Sequence, residues 1–276
     1  MPVVIGLDIG GSTTKIVGLD DAEVMGSLIV RADDPVASAF GAVGKFLNQY
    51  KLTLQDVDRI MMTGVGRTFI QGDLLNIKTE KVDEMQAVGA GGLYLSGQTE
   101  AIVVSMGTGT SIVRANGNGS RRIIGSGVGG GTLIGLGRSL VGTRDFQKIE
   151  ELAANGDLNA VDLTVGDISA DVIANLGHDV TASNFGDVRD DARPEDLAAG
   201  ILNLVYQTIG TLAAVTAWKE ALHTVVFSGN LALSAQGRDI LHRVGALYEL
   251  DFVVPEHAEY ATALGAGIQI WRRYQK

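Results

Sequence analysis

Asp8, Gly10, Gly11 and Ser12 close an apolar run, Val3 to Ile9, and lead into Thr13, Thr14 and Lys15. Small residues in a tight turn leave backbone N–H groups open to an anion such as a polyphosphate. The one carboxylate at the mouth can hold Mg²⁺ directly or through water. A second turn of this type, Gly107-Thr108-Gly109-Thr110-Ser111, follows the apolar run Ala101 to Met106. A third apolar run, Val225 to Phe227, ends in Ser228, Gly229 and Asn230. Together the three turns describe a cradle for a nucleotide, gripped from two sides.

The elements that must position these turns are legible as pattern. Val3–Ile9 and Ile16–Leu19 read as the two strands of a hairpin. A helix is expected over 35–50 and a strand from Arg59 to Thr63, followed by the turn Gly64-Val65-Gly66. Asp83 to Leu95 reads as a helix whose Ala87, Gly89, Ala90, Gly91 and Gly92 cost helix propensity, so they are expected where backbones approach closely. Downstream, strands 110–114 and 121–124 are joined by Asn116-Gly117-Asn118-Gly119, a hairpin-turn signal. The run Gly125 to Thr132 enters a short apolar helix, Leu133 to Leu136. Gly129, Gly130 and Gly131 there would offer aligned N–H donors to a nucleotide or substrate. Asp145 to Asn155 reads as a charged helix, 157–193 follows no clear pattern, and Leu197 to Ala217 reads as a long apolar helix. Alternating strands and helices predict an α/β fold. A boundary near Gln98 and Thr99 gives an N-terminal lobe, 1–98, and a C-terminal lobe, 99–276.

Composition narrows the function classes. The chain has 276 residues, 46% apolar and 20% charged, so a sizeable core is expected and disorder is not. Its 37 glycines are about twice average usage and concentrate in a few turns. A net charge of −10 argues against a nucleic-acid or anionic-membrane surface. No cysteine is present, which excludes disulfides, thiolate zinc sites, iron–sulfur clusters and thiol catalysis. His178, His223, His242 and His257 lack ligand spacing. No basic leader precedes the first strand, and Asn203, Tyr206, Gln207 and Gly210 interrupt the long apolar helix. A soluble cytoplasmic protein is therefore expected, with no membrane span.

The three turns, in this order and spacing, resemble the actin, sugar-kinase and Hsp70 ATPase superfamily. That resemblance implies two similar ribonuclease-H-like lobes with a nucleotide cleft between them. The more specific runs are Asp83-Glu84, Arg121-Arg122, Gly129-Gly130-Gly131-Thr132-Leu133 and Thr181-Ala182-Ser183-Asn184-Phe185-Gly186. With the first two turns they resemble the type II pantothenate kinases, the last run the bacterial members, over nearly the whole chain.

The resemblance implies ATP-dependent phosphorylation of the terminal hydroxyl of pantothenate, with ATP and Mg²⁺ bound. Asp8 would orient the Mg²⁺. Gly10, Gly11, Ser12, Thr13, Gly107, Thr108 and Gly109 would hold phosphates, and Ser228 and Gly229 would also bind the nucleotide. Glu84 matches the general base, with Asp83 and Glu80 as competing carboxylates nearby. Arg122 matches the arginine that contacts pantothenate, and Thr108 and Thr110 match positions lining that site. Arg121 alternates to the other strand face, toward solvent or an ion pair. Lys15 would either neutralise a phosphate or pair with a carboxylate. Relatives are homodimers, and they differ in whether CoA or acyl-CoA inhibits them. The Leu197–Ala217 helix, apolar on several faces, is the expected dimer element. An amino-sugar kinase, which commonly uses an Asp base in a Gly-x-Asp turn, is the runner-up, although the Cys-rich zinc site of many members is absent here. Activators of radical dehydratases share the fold but need cysteines. A nucleotide-binding sensor without turnover is the alternative from another class, and the intact set of Asp8, Glu84 and Arg122 argues against it.

Overall fold

The computed structural model describes residues 3–21, 23–31, 34–171 and 177–274, with side chains to residue 270. The first half is built from β1 (Val3–Ile9), β2 (Thr13–Asp20), β3 (Glu23–Arg31), α1 (Pro35–Tyr50), β4 (Val57–Thr63), β5 (Thr79–Lys81) and α2 (Glu84–Ser96). Its strands form one mixed sheet in the order β3-β2-β1-β4-β5. The expected hairpin and the 35–50 helix are present. The sequence reading missed β3, whose half-exposed residues blur alternation, and β5, which is only three residues long.

The second half contributes β6 (Glu100–Met106), β7 (Thr110–Asn116), β8 (Gly119–Ser126), α3 (Gly130–Leu136), α4 (Phe146–Ala153), β9 (Leu163–Thr164), α5 (Val165–Ile168), β10 (Thr181–Ser183) and α6 (Pro194–Lys219). It ends with β11 (Thr224–Ser228), α7 (Ala235–Leu247), β12 (Asp251–Val253) and α8 (Ala261–Tyr274). The second large sheet runs β12-β11-β6-β7-β8 and repeats the first: an antiparallel three-strand meander continued by parallel strands. The unassigned stretch holds the small pair β9–β10.

All strands of the first large sheet precede residue 98, and all of the second follow it. Helix α8 then returns to the first sheet and packs on β1, β4 and α2. Its approach is close: a methyl group at Gly6 would strike the carbonyl oxygen of Ala263, and one at Gly91 the carbonyl oxygen of Ala261. On α2, Gly91 is small for this reason, whereas Gly89 packs on Ser120 and Ala115 and Gly92 on Val103, in strands of the second sheet. β1 is thereby buried on both faces, with Ile5, Leu7 and Ile9 against α1 and Val4 against α8. Such two-sided burial is why β1 reads as a continuous apolar run.

Helix α6 is the core helix of the second half. Ile201, Val205, Tyr206 and Ile209 have no exposed surface. It is the one helix among the described residues long and apolar enough to cross a membrane, and 61% of its apolar window is buried inside the protein. Its apolarity on several faces is therefore largely used within one chain. That corrects the expectation that those faces need a second copy. Leu197, Leu204 and Leu212 are half-buried, and Val215 is 53% exposed.

Candidate active site

A cleft of about 510 Å³ collects the ends of both sheets. The β1–β2 turn brings Asp8, Gly10, Gly11, Ser12 and Thr13 to it, and the β6–β7 turn brings Gly107, Thr108, Gly109 and Thr110. Lys15, Glu84, Arg122 and Gly229 line the same space. Thirteen of the residues expected to act together, some a hundred or more apart in sequence, thus converge on one cavity.

Each functional side chain has a local reason for its place. Asp8 and Lys15 are cross-strand partners on β1 and β2. Burial pushes the Asp8 carboxyl up, with the Lys15 charge opposing. Burial likewise pushes the Lys15 ammonium down, with Asp8 and Glu259 opposing. Glu84 is the first residue of α2, capped by Asp83, whose carboxylate accepts from the Gln86 backbone N–H at 3.1 Å. That bond gives Asp83 a structural task and leaves Glu84 as the carboxylate of the pair that faces the cleft. Glu80 is engaged with Arg59 at 2.9 Å. Burial raises the Glu84 carboxyl, the Asp8 and Asp83 charges raise it further, and Arg67 opposes them. The Gln86 amide clamps the first turn of α2 to β8, donating to the Ser120 carbonyl at 2.6 Å and accepting from its N–H at 3.0 Å.

Arg122 reaches the cleft through a bulge. Register slips between Ile112 and Val113, so Ile112 pairs with Ile124 but Val113 with Arg122. The extra residue, Ile123, turns Arg122 to the face of Ser111, Val113 and Gly125. Arg121 goes to the opposite face and pairs with Glu220 at 2.9 Å, an ion pair as one of its expected fates.

The structure corrects four expected nucleotide contacts. Gly129, Gly130 and Gly131 do not line the cleft; the Gly130 and Gly131 N–H groups bond the Gly107 and Thr108 carbonyls at 2.9 and 2.8 Å. Their donors hold the second turn from behind rather than face a phosphate. Gly129 packs against Gly109 too tightly for a side chain. Ser228 is fully buried, with its hydroxyl donating to the Val104 carbonyl at 3.2 Å. The Thr110 hydroxyl is likewise taken up, donating to the Val128 carbonyl at 2.8 Å.

Ser111, Gly125, Ser126, Gly127 and Asn230, which lie within the turns and the glycine run named from sequence, also line the wall, and sequence reasoning missed Gly64, Val65, Ser105 and Thr262 as site residues. Gly64 had a signal, since its turn was visible. Its φ of +86° is glycine territory, and a methyl group there would come within 2.5 Å of Asp8 Oδ1.

The wall suits a polyphosphate. Methyl groups at Gly11 and Gly127 would meet nothing within 4 Å, so these backbones border open cleft that side chains would fill. With the hydroxyls of Ser12 and Thr13 and the Lys15 ammonium, the surface is rich in donors. Asp8 is one hard oxygen donor, which suits an ion that keeps most of its shell from water and phosphate.

This repeated-sheet architecture has close counterparts among solved structures. Component A of the (R)-2-hydroxyglutaryl-CoA dehydratase of Acidaminococcus fermentans superposes with a TM-score of 0.72 at 16% identity, all of both chains covered. A glucokinase of the ROK family from Streptomyces griseus, in complex with glucose and AMPPNP, gives 0.65 at 11% over 97% of this chain and 98% of that one. These likenesses define the fold class: two mixed sheets of the same topology around one cleft. Within it, the Fumble family profile matches residues 99–269, and the chain belongs to the Fumble family. A type II pantothenate kinase of Staphylococcus aureus (strain USA300) is 29% identical over 236 residues, 82% of this chain and 84% of that protein.

Proposed function

We propose that this protein transfers the γ-phosphoryl group of ATP to the terminal hydroxyl of pantothenate, giving 4′-phosphopantothenate, the first step toward coenzyme A. The observation that carries the reading is the convergence of Asp8, Glu84 and Arg122 on one cleft, with glycine turns from both sheets around them. Membership of the Fumble family and the similarity to the Staphylococcus kinase support the choice of acceptor.

Phosphoryl transfer asks for positioning, charge neutralisation and removal of one proton. The glycine turns grip the phosphates through backbone N–H groups. Asp8 would hold Mg²⁺, directly or through water, and the ion would supply charge neutralisation at the phosphates. Arg122 forks onto acceptor oxygens and aligns the hydroxyl. Glu84 accepts the hydroxyl proton as that oxygen attacks the γ-phosphorus, its raised pKa making it a better acceptor than a free carboxylate. A homodimer, as in relatives of this type, is part of the proposal.

The test is a phosphoryl-transfer assay with ATP and Mg²⁺ across pantothenate and hexosamines, the product identified by mass. Transfer to pantothenate alone is expected. Transfer to a hexosamine instead would overturn the acceptor, and ATP binding without any transfer would point to a sensor.

A further inference from the structure

Thr262 belongs to no motif in the sequence, yet it lines the cleft beside Asp8 and Lys15. It is 7% exposed, and among the described residues its hydroxyl makes no hydrogen bond. Among the described residues the solvent-excluded side-chain atom without a partner is Ser120 Oγ, so the unbonded Thr262 hydroxyl keeps access to solvent. Here the open side of the hydroxyl is the cleft.

Its location follows from strand faces. Val4, Gly6 and Asp8 alternate along β1 onto the face covered by α8, and Lys15, Val17 and Leu19 do so along β2. Gly6 lies against the Ala263 carbonyl, so the next step along β1, Asp8, falls at the level of the start of α8. Lys15 is opposite Asp8 and is drawn toward Glu259, three residues before Thr262. Helix α8 therefore delivers a hydroxyl to the wall of the phosphate cradle, in the cleft that also holds the buried Lys15 ammonium and the half-buried Asp8 carboxylate. Asp8 is the cation's ligand in the reading above; Lys15 and Thr262 are the two donors beside it. A pair of donors buried at the end of a glycine-lined cleft fits an anionic oxygen, not a neutral group.

From this geometry we infer that the Thr262 hydroxyl donates to a phosphate oxygen of the bound nucleotide, making α8 a third phosphate-binding element besides the two glycine turns. The inference rests on the nucleotide half of the proposed function and is independent of the acceptor.

Calorimetric binding of ADP, a non-hydrolysable ATP analogue and adenosine to the wild-type chain, Thr262→Val and Thr262→Ser tests it without turnover. Valine keeps the shape and removes the hydroxyl. A loss of about tenfold in ADP and analogue affinity is expected for Thr262→Val, the usual worth of a hydrogen bond to a charged group. Adenosine affinity should stay the same, and Thr262→Ser should restore phosphate-dependent binding. Unchanged nucleotide affinity in Thr262→Val would overturn the assignment, and so would an equal loss for adenosine. If the wild-type chain itself bound no ATP analogue, the kinase reading would fall, an outcome distinct from failure of Thr262 alone.

Discussion

The guanidinium of Arg122 lies against the Cα of Gly125, three residues further along the same strand, where a side chain at 125 would collide with it. In a regular strand residues three apart face opposite ways. The bulge at Ile123 brings these two to one face, and the missing side chain of Gly125 is the seat of the arginine. Gly125→Ala should therefore act like a substitution of Arg122 itself. Both Gly125→Ala and Arg122→Lys are expected to raise the KM for pantothenate about tenfold or more, with the nucleotide KM little changed, because the planar fork is lost or displaced. Steady-state kinetics with each substrate varied would settle it. Equal weakening of ATP binding would assign Arg122 to the nucleotide.

Glu84 and Asp83 should separate cleanly. Glu84→Gln is expected to lower kcat by about 10²- to 10⁴-fold while calorimetry still detects ATP, the loss typical of a missing general base. Asp83→Asn keeps a capping side chain, so helix α2 and turnover should both survive. Turnover retained in the first variant and lost in the second would reverse the roles.

The environment of Glu84 sets a pH dependence. Its carboxyl is held above the ordinary range by burial and by Asp8, with Arg67 pulling it back. A base works deprotonated, so kcat/KM should fall as pH drops through that raised pKa. Arg67→Gln removes the opposing charge, raises the pKa further and should move the acid limb to higher pH. A pH profile with an unmoved or lowered limb in that variant would contradict the electrostatic account.

Gly64→Ala combines two penalties, a positive φ and a collision with Asp8. The backbone alone, with ψ at 167°, costs roughly 1–3 kcal/mol, which at about 2–4 °C per kcal/mol for a chain of this size lowers Tm by several degrees. The displaced carboxylate should also weaken Mg²⁺-dependent nucleotide binding. Thermal melts with and without Mg²⁺ and ADP would register both effects, and a variant as stabilised by ligand as the wild type would refute the second.

Assembly is the last test. On α6, Val215 and Trp218 remain 53% and 55% exposed beside half-buried Leu212, and the Trp218 ring meets Tyr248 edge-on, with centroids 5.2 Å apart. A homodimer closed over this end of the helix should dissociate when Val215 and Trp218 are both changed to Asp, as sedimentation would report. A wild-type chain that sediments as a monomer would end the proposal.

The sequence by itself determined the long buried strands β1, β2, β4, β6, β7 and β11, the β8 hairpin partner, the two glycine turns and the carboxylates and arginines at their ends. Those features are local: a buried strand reads as an apolar run, a tight turn as glycine, a helix start as Asp83 before Glu84. It also pointed to Arg122 through its resemblance to a family, although local alternation cannot foresee a bulge that turns one arginine inward and its neighbour out. Only the tertiary structure decided how backbone donors are used. Gly130 and Gly131 look like anion ligands in sequence, yet they bond carbonyls of the neighbouring turn because a close-packed interior satisfies its polar groups with whatever lies nearest. The same holds for α6, whose apolar faces found their partners inside the chain. Thr262 is the clearest case: nothing within several residues of it marks a site. Its place in the cleft arises because α8 crosses back over a glycine in β1, a contact between positions more than 250 residues apart that no local pattern encodes.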